Sequence, residues 1–147
     1  MKLVSACLLG VECAYSGESN RCDYLIEKLK GELIIPVCPE QLGGLTTPRD
    51  RARIVGGDGN DVLDGKARVI TCKDEDVTLQ YLKGGQEVLK LARLFGIEEA
   101  ILKAYSPSCG CGLIFTEDFS DKKPGDGTTT ALLKRNGIKV TTELDHE

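Results

Sequence analysis

The thiol groups are the side chains in this sequence with the most chemistry to offer. The chain has seven cysteines, an odd number, so they cannot all pair with one another. Cys7, Cys38 and Cys109 each follow a stretch of apolar and branched residues, with glycine, proline or serine close by. Thiolate ligands without histidine suit soft metals, above all an iron–sulfur cluster or zinc. Because the three are far apart and form no C-x₂-C pair, a zinc ribbon fits them poorly.

The other cysteines carry weaker signals. Cys22 lies on the apolar face of a predicted helix and Cys72 precedes an acidic run, so both are predicted to be structural. Cys13 lies in a loop, and its role is left open. Cys111 is separated from Cys109 by one glycine, which fits a redox pair or a spare metal ligand. Cys7, Cys38 and Cys109 could also be small buried apolar residues without a ligand.

Two oxygen-bearing side chains stand near these thiols in the sequence. Glu40 comes two residues after Cys38, which favours acid–base chemistry over the solvated position usual for glutamate. Ser106, three residues before Cys109, is either a turn residue or a hydrogen-bonding group of the site. The one histidine, His146, is next to last, where chains are usually loosely held. Catalysis by a histidine dyad or triad, and histidine-rich zinc sites, are therefore nearly excluded.

The elements that must position these side chains alternate between strands and helices. The predicted strands cover residues 2–6, 32–37, 97–102 and 138–141, and helices that include residues 22–29, 88–95 and a segment after residue 128 precede the last three. Each helix ends with basic residues and a glycine. This order predicts an α/β fold, a Rossmann-like three-layer sandwich with a mostly parallel sheet. Since parallel strands share one carboxyl edge, where ligands bind, Cys7, Cys38 and Cys109 are expected to meet there.

The segment between the second strand and the next long helix is predicted to be a small β insert. It covers residues 43–75, in which residues 52–55 and 67–70 are expected to pair as a hairpin or as two short edge strands. Residues 122–127 have the composition of a loop, and Thr128 is predicted to cap the helix that follows.

Composition sets the broad class of protein. The 147 residues are enough for one domain, predicted to cover residues 1–147. Hydrophobic residues make up 41% and charged residues 29%, which is typical of a globular protein and not of a membrane or disordered one. A net charge of −4 argues against binding a nucleic acid polymer. No targeting segment is visible, so a cytoplasmic location is expected, and the sequence leaves the oligomeric state unknown.

Four motifs follow one another along the chain. They are Ser5-Ala6-Cys7-Leu8-Leu9-Gly10 with Cys13, Pro36-Val37-Cys38-Pro39-Glu40-Gln41-Leu42-Gly43-Gly44-Leu45 with Thr47-Pro48-Arg49, Ser106-Pro107-Ser108-Cys109-Gly110, and Pro124-Gly125-Asp126-Gly127. Together they resemble the thiouracil desulfidase (TudS) family of bacteria and archaea. The resemblance runs over nearly the whole chain. It departs from the family at residues 14–17, where Ala-Tyr-Ser-Gly replaces the usual Arg-Tyr-Asp-Gly.

The resemblance implies an iron–sulfur enzyme. Its members hold a [4Fe–4S] cluster by three cysteines, with one iron free of protein ligands, and remove sulfur from 2-thiouracil or a related thiolated base without net redox change. Cys7, Cys38 and Cys109 match the cluster ligands best, although Cys13 also matches a family cysteine. Glu40 and Ser106 match residues needed for activity, Glu40 to activate water or shuttle a proton and Ser106 to hydrogen-bond the base or the water.

Two other function classes stay open at the level of the sequence. The protein could be a zinc or cluster-binding protein without enzymatic activity. It could also be a sulfurtransferase that carries a persulfide on Cys109. Metal content after anaerobic purification separates a zinc protein from the desulfidase. A persulfide enzyme would survive iron chelation and would lose its activity on Cys109→Ser alone.

Overall fold

A four-stranded parallel sheet with helices on both faces forms the body of the molecule. The computed structural model describes residues 1–147. Its elements are β1 (Lys2–Ser5), α1 (Asp23–Lys28), β2 (Ile34–Val37), α2 (Pro39–Leu42), β3 (Ala52–Val55), α3 (Gly59–Leu63), β4 (Arg68–Thr71), α4 (Thr78–Phe95), β5 (Glu99–Leu102), β6 (Leu113–Phe115), β7 (Lys122–Pro124), α5 (Thr128–Arg135) and β8 (Lys139–Thr142), with 3₁₀ turns at Ala6–Leu9 and Glu143–His146. The strand order in the main sheet is β2-β1-β5-β8, and every neighbouring pair is parallel. The predicted three-layer α/β fold is confirmed.

Alternate residues of the sheet supply two separate hydrophobic cores. Leu3 and Leu102 point to one face, where they pack with Val88 of α4 and Leu133 of α5. Val4 belongs to the core on the other face, which also contains Ile101 of β5, Leu25 of α1 and Leu8 of the first 3₁₀ turn. Because side chains alternate along a strand, both faces must be apolar when helices cover both, and this explains the unbroken apolar runs of the strands.

The helix ends follow the predicted chemistry. Gly31, Gly96 and Gly137, which come between a basic helix end and the next strand, have φ angles of 84°, 65° and 78°. These left-handed conformations strain any residue with a Cβ, and they let the chain reverse directly into a strand.

The insert contains the predicted β pairing and one further helix. β3 and β4 form a two-stranded antiparallel sheet in which Ile54 lies opposite Val69. The connection between the two strands contains α3, which the sequence did not predict. Asp58 and Asp61 form a capping box at the start of α3, in which the side chain of each accepts a hydrogen bond from the backbone N–H of the other.

Two local predictions near residue 125 are wrong. Residues 122–127 are not all loop, because β7 pairs with β6 as an antiparallel hairpin. Lys-Lys-Pro is a poor strand sequence, but it suits an exposed edge. Thr128 does not cap α5 either: Gly127 holds the N-cap position, and the Thr128 hydroxyl is buried without a partner.

None of the five helices combines the length and the apolar composition that crossing a membrane requires.

Candidate active site

The structure brings Cys7, Cys38 and Cys109 together at the carboxyl edge of the main sheet. Cys7 follows β1, Cys38 follows β2, and Cys109 lies in the loop after β5. All three line one cavity of about 240 Å³. The parallel sheet is the reason, because it collects the ends of three strands that are remote in sequence at a single place.

Short turns fix the direction of each thiol. Cys7 sits in the 3₁₀ turn Ala6–Leu9, which Gly10 ends in the left-handed conformation, with a φ of 99°. Cys38 occupies the N-cap position of α2, directly before Pro39, which is preset for the first helical turn. The backbone N–H of Cys109 donates to Ser106 Oγ at 2.8 Å. The backbone conformation around each thiol thus fixes its direction.

A fourth thiol, that of Cys13, stands among the others. Cys13 lines the same cavity and is only 1% exposed. Its hydrogen bond lowers the pKa of Cys38 to about 7 and also lowers the pKa of Cys7, in both cases against the effect of burial. The pKa of Cys13 itself rises, since it keeps its proton to donate to its neighbours. Burial raises the pKa of Cys109 to about 12.

The remaining cysteines lie outside the cavity. Cys111 points its sulfur at the carbonyl of Val140, at 3.6 Å, and does not line the cavity, so the spare-ligand interpretation gains no support. Cys22 is buried beside Leu25, as a structural residue should be. Cys72 is exposed, and the prediction that it is structural is wrong.

Glu40 lines the cavity, and its carboxylate is held by two side chains whose contact with it the sequence did not predict. Its Oε1 accepts a hydrogen bond from the Tyr81 hydroxyl, and its Oε2 accepts one from Arg49 Nη2 at 3.3 Å. The same nitrogen donates to the carbonyl of Cys13 at 2.9 Å. Burial and the Glu40 carboxylate raise the pKa of Tyr81 well above its usual value, so Tyr81 stays a donor. Although burial opposes it, Glu40 also raises the pKa of Arg49.

Ser106 lies on the same wall as Cys109. Its Oγ accepts the backbone N–H of Cys109 and stands 3.3 Å from Ser108 Oγ. Because the oxygen already accepts one hydrogen bond, its hydrogen is free to point to Ser108 or into the cavity. Tyr105, directly before it, has a φ of 71°, an uncommon value for a residue with a side chain.

Aromatic rings and one arginine form the mouth of the cavity. Tyr15, Phe115 and Phe119 line it, and the Arg51 guanidinium lies over all three rings, 4.2 Å from the centre of Phe119. The side chains of the other six arginines all donate to oxygen acceptors of the protein, whereas the Arg51 side chain donates to none. The donors of Arg51 are therefore available to a ligand.

Comparisons with known proteins match this architecture over almost the whole chain. The family model described as 2-thiouracil desulfurase matches residues 3–145. The chain belongs to the 2-thiouracil desulfurase family. The resemblance read from the four sequence motifs is thereby confirmed.

Two relatives show how closely this member of the 2-thiouracil desulfurase family follows known chains. The uncharacterized protein YbbK of Bacillus subtilis (strain 168) is 44% identical over 144 residues, which is 97% of this chain and 95% of YbbK. The solved structure of the [4Fe–4S]-dependent thiouracil desulfidase TudS is 38% identical, with a TM-score of 0.83. That similarity covers 97% of this chain and 90% of TudS.

The donor set of this desulfurase-family chain fits an iron–sulfur cluster better than a single metal ion. No three cysteine, histidine, aspartate or glutamate side chains are grouped so that they could hold one ion. The thiols instead line the wall of a cavity, and all seven cysteines are free. A cluster of several atoms needs such spacing, because its ligands bind different irons. Cysteine thiols are also the usual ligands of such clusters.

Proposed function

We propose that the protein is a [4Fe–4S]-dependent thiouracil desulfidase, which removes sulfur from 2-thiouracil or a related thiolated base and releases sulfide. The observation that carries the proposal is the arrangement of Cys7, Cys38 and Cys109 around one cavity with Glu40. This arrangement is found in a chain whose family and structural neighbour are desulfidases. Residues 1–147 act as one desulfidase domain.

Cys7, Cys38 and Cys109 would hold the cluster. Bound there with one iron free of protein ligands, it would supply a Lewis acid for a soft thione sulfur. Cys13 is the alternative to Cys7, and its position between Cys7 and Cys38 suits a thiol that donates hydrogen bonds to ligating sulfurs.

Glu40 and Ser106 would handle the water and its protons. Glu40 is the only carboxylate that lines the cavity, so it is the group available to take a proton from the attacking water. Ser106 would use its free hydrogen to orient the base or the water, since its oxygen is held by the backbone of Cys109. The reaction exchanges sulfur for oxygen on one carbon, so it needs no external oxidant or reductant.

The mouth of the cavity suits a small, flat, polar heterocycle. Phe115, Phe119 and Tyr15 offer ring faces on which a base can stack. Beside them, the unpaired N–H groups of Arg51 would donate hydrogen bonds to an oxo group on the ring. A chain with seven free thiols also suits the reducing cytoplasm.

The two other function classes are not favoured. No side-chain group is arranged to hold a single zinc ion. A persulfide enzyme needs a reactive thiolate, whereas Cys109 is buried and its pKa is raised to about 12.

Anaerobic purification and reconstitution test the proposal. We expect about four irons and four sulfides per chain, and release of sulfide from 2-thiouracil or another thiolated base in a screen. Colourless protein that contains zinc, or sulfide release that survives iron chelation, would contradict it.

The Glu40→Gln variant tests the proposed role of the carboxylate. We expect turnover to fall by about 10²–10⁴-fold, because a placed acid–base group contributes about that much. Iron and sulfide content should stay at the level of the unchanged protein, since Glu40 is not a proposed ligand. Full activity in this variant with the cluster intact would show that Glu40 has no part in the chemistry.

A further inference from the structure

Both oxygens of the Glu40 carboxylate accept hydrogen bonds from side chains of other parts of the chain. Tyr81, on α4, donates to Oε1, and Arg49, from the loop before β3, donates to Oε2. The Glu40 side chain is 17% exposed and that of Arg49 is 6% exposed, so solvent screens these contacts little. Each carboxylate oxygen keeps a second lone pair, so it can still accept a proton or a hydrogen bond from a water.

Tyr81 itself does not reach the cavity. It is 2% exposed and packs with Ile54 and Val69 in the core beneath the insert. It is absent from the residues that line the cavity. Any effect of its hydroxyl on a reaction in the cavity must therefore pass through Glu40.

The backbone fixes the distance between the two residues. A Cβ on Gly84 would lie 2.0 Å from the carbonyl oxygen of Pro39, and one on Gly43 would lie 2.0 Å from that of Gln80. These two contacts flank the pair, because Pro39 precedes Glu40 and Gln80 precedes Tyr81. α2 and α4 thus meet backbone to backbone, and Glu40 faces the Tyr81 hydroxyl at a fixed separation.

We propose that Tyr81 is a positioning residue of the reaction, whose hydroxyl fixes the direction of the Glu40 carboxylate toward the cavity. The proposal rests on the proposed function, in which Glu40 acts on the water. A glutamate has three rotatable bonds, and only part of their range aims the carboxylate at a bound base. The hydrogen bond from the Tyr81 hydroxyl fixes the Glu40 rotamer before the substrate binds.

The test is the Tyr81→Phe variant, assayed per iron-loaded chain. Loss of one hydrogen bond to a charged group should lower kcat about 10-fold to 100-fold. KM should change little, because Tyr81 does not contact the substrate. Tyr24→Phe is the matched control: the Tyr24 hydroxyl donates to the carbonyl of Glu143 at 2.7 Å, away from the cavity, so kcat should be unchanged.

The double variant separates positioning from a general structural role. In the Glu40→Gln background, Tyr81→Phe should lower kcat by less than 3-fold, because the group that it positions is already gone. If Tyr81 serves only stability, kcat per iron-loaded chain stays at the wild-type level. A loss in the double variant as large as in the single variant also overturns the proposal.

Thermal unfolding provides a readout that is independent of turnover. The falls in midpoint for Tyr81→Phe and Glu40→Gln should not add fully in the double variant, because both substitutions weaken the same contact: the first removes its donor and the second removes the charge of its acceptor. Additive falls would show that Tyr81 and Glu40 do not interact, and would contradict the proposal whether or not sulfide is released. Failure of the wild type to desulfurise any thiolated base, by contrast, would overturn the proposed function.

Discussion

Cys38 serves two purposes in the structure, as the N-cap of α2 and as a thiol of the cavity. Serine is a good N-cap residue but a poor ligand for iron. Cys38→Ser should therefore keep α2 folded and still lose most of the iron after anaerobic reconstitution. Iron and acid-labile sulfide per chain measure this, together with the visible absorbance of the cluster.

Cys111→Ser is the control for this experiment. Cys111 is partly buried and its sulfur faces the carbonyl of Val140, to which serine can donate as well. Iron content should be unchanged in this variant. Equal iron in both variants would exclude Cys38 as a ligand, and a loss confined to Cys111→Ser would move the cluster to another site.

At the residue scale, the sequence identifies a residue of the site when that residue lies close along the chain to one of the three cysteines. Glu40 is predictable because it follows Cys38, and Ser106 because it precedes Cys109. Tyr81 and Arg51 carry no local signal. Tyr81 lies outside residues 88–95, the part of α4 that the sequence predicts, and only the packing of α4 on α2 brings its hydroxyl to a carboxylate 41 residues away. Arg51 is recognised only in the structure, which shows that its side chain donates to no oxygen of the protein.

At the element scale, periodicity locates the strands of the main sheet to within a few residues. In α4 it marks only residues 88–95, so it misses the first ten residues of that helix, which begins at Thr78. It fails where an element is too short to show a period. α3 has only five residues, Gly-Asn-Asp-Val-Leu, and only its capping box marks it. β7 has three residues and pairs because β6 lies beside it, not because lysine and proline favour strands.

The crossing of α2 and α4 is the element contact on which the site depends most. Gly84→Ala would place a Cβ 2.0 Å from the Pro39 carbonyl, so α2 must move. Overpacking of this kind costs about 1–3 kcal/mol. We expect the unfolding midpoint to fall by about 2–10 °C and turnover per iron to fall with it, because Glu40 moves with α2.

Gly85→Ala is the adjacent control in the same helix. There the nearest atoms to a new Cβ are side-chain atoms of Thr129 and Leu132, at 3.3 and 3.4 Å, which can shift. Alanine also favours the helix by about 1 kcal/mol over glycine. Its stability and turnover should stay close to those of the unchanged protein. Equal effects of the two substitutions would mean that the backbone contact does not hold α2.

At the scale of the whole molecule, the cavity lies where parts of the chain that are distant in sequence meet. A group bound to Cys7, Cys38 and Cys109 would link the ends of β1, β2 and the loop after β5. Because unfolding separates these positions, such a group binds the folded chain far better than the unfolded one. Its binding energy therefore adds directly to the free energy of unfolding.

Removal of the iron should consequently lower the thermal midpoint of the protein. A group present at 100 times its dissociation constant adds about 2.7 kcal/mol, which for a chain of this size corresponds to about 5–10 °C. Anaerobic scans before and after chelation measure the difference. In Cys38→Ser, which should hold little iron, chelation should leave the midpoint unchanged. Equal midpoints for the loaded and the depleted wild type would mean that the iron does not join the three strand ends.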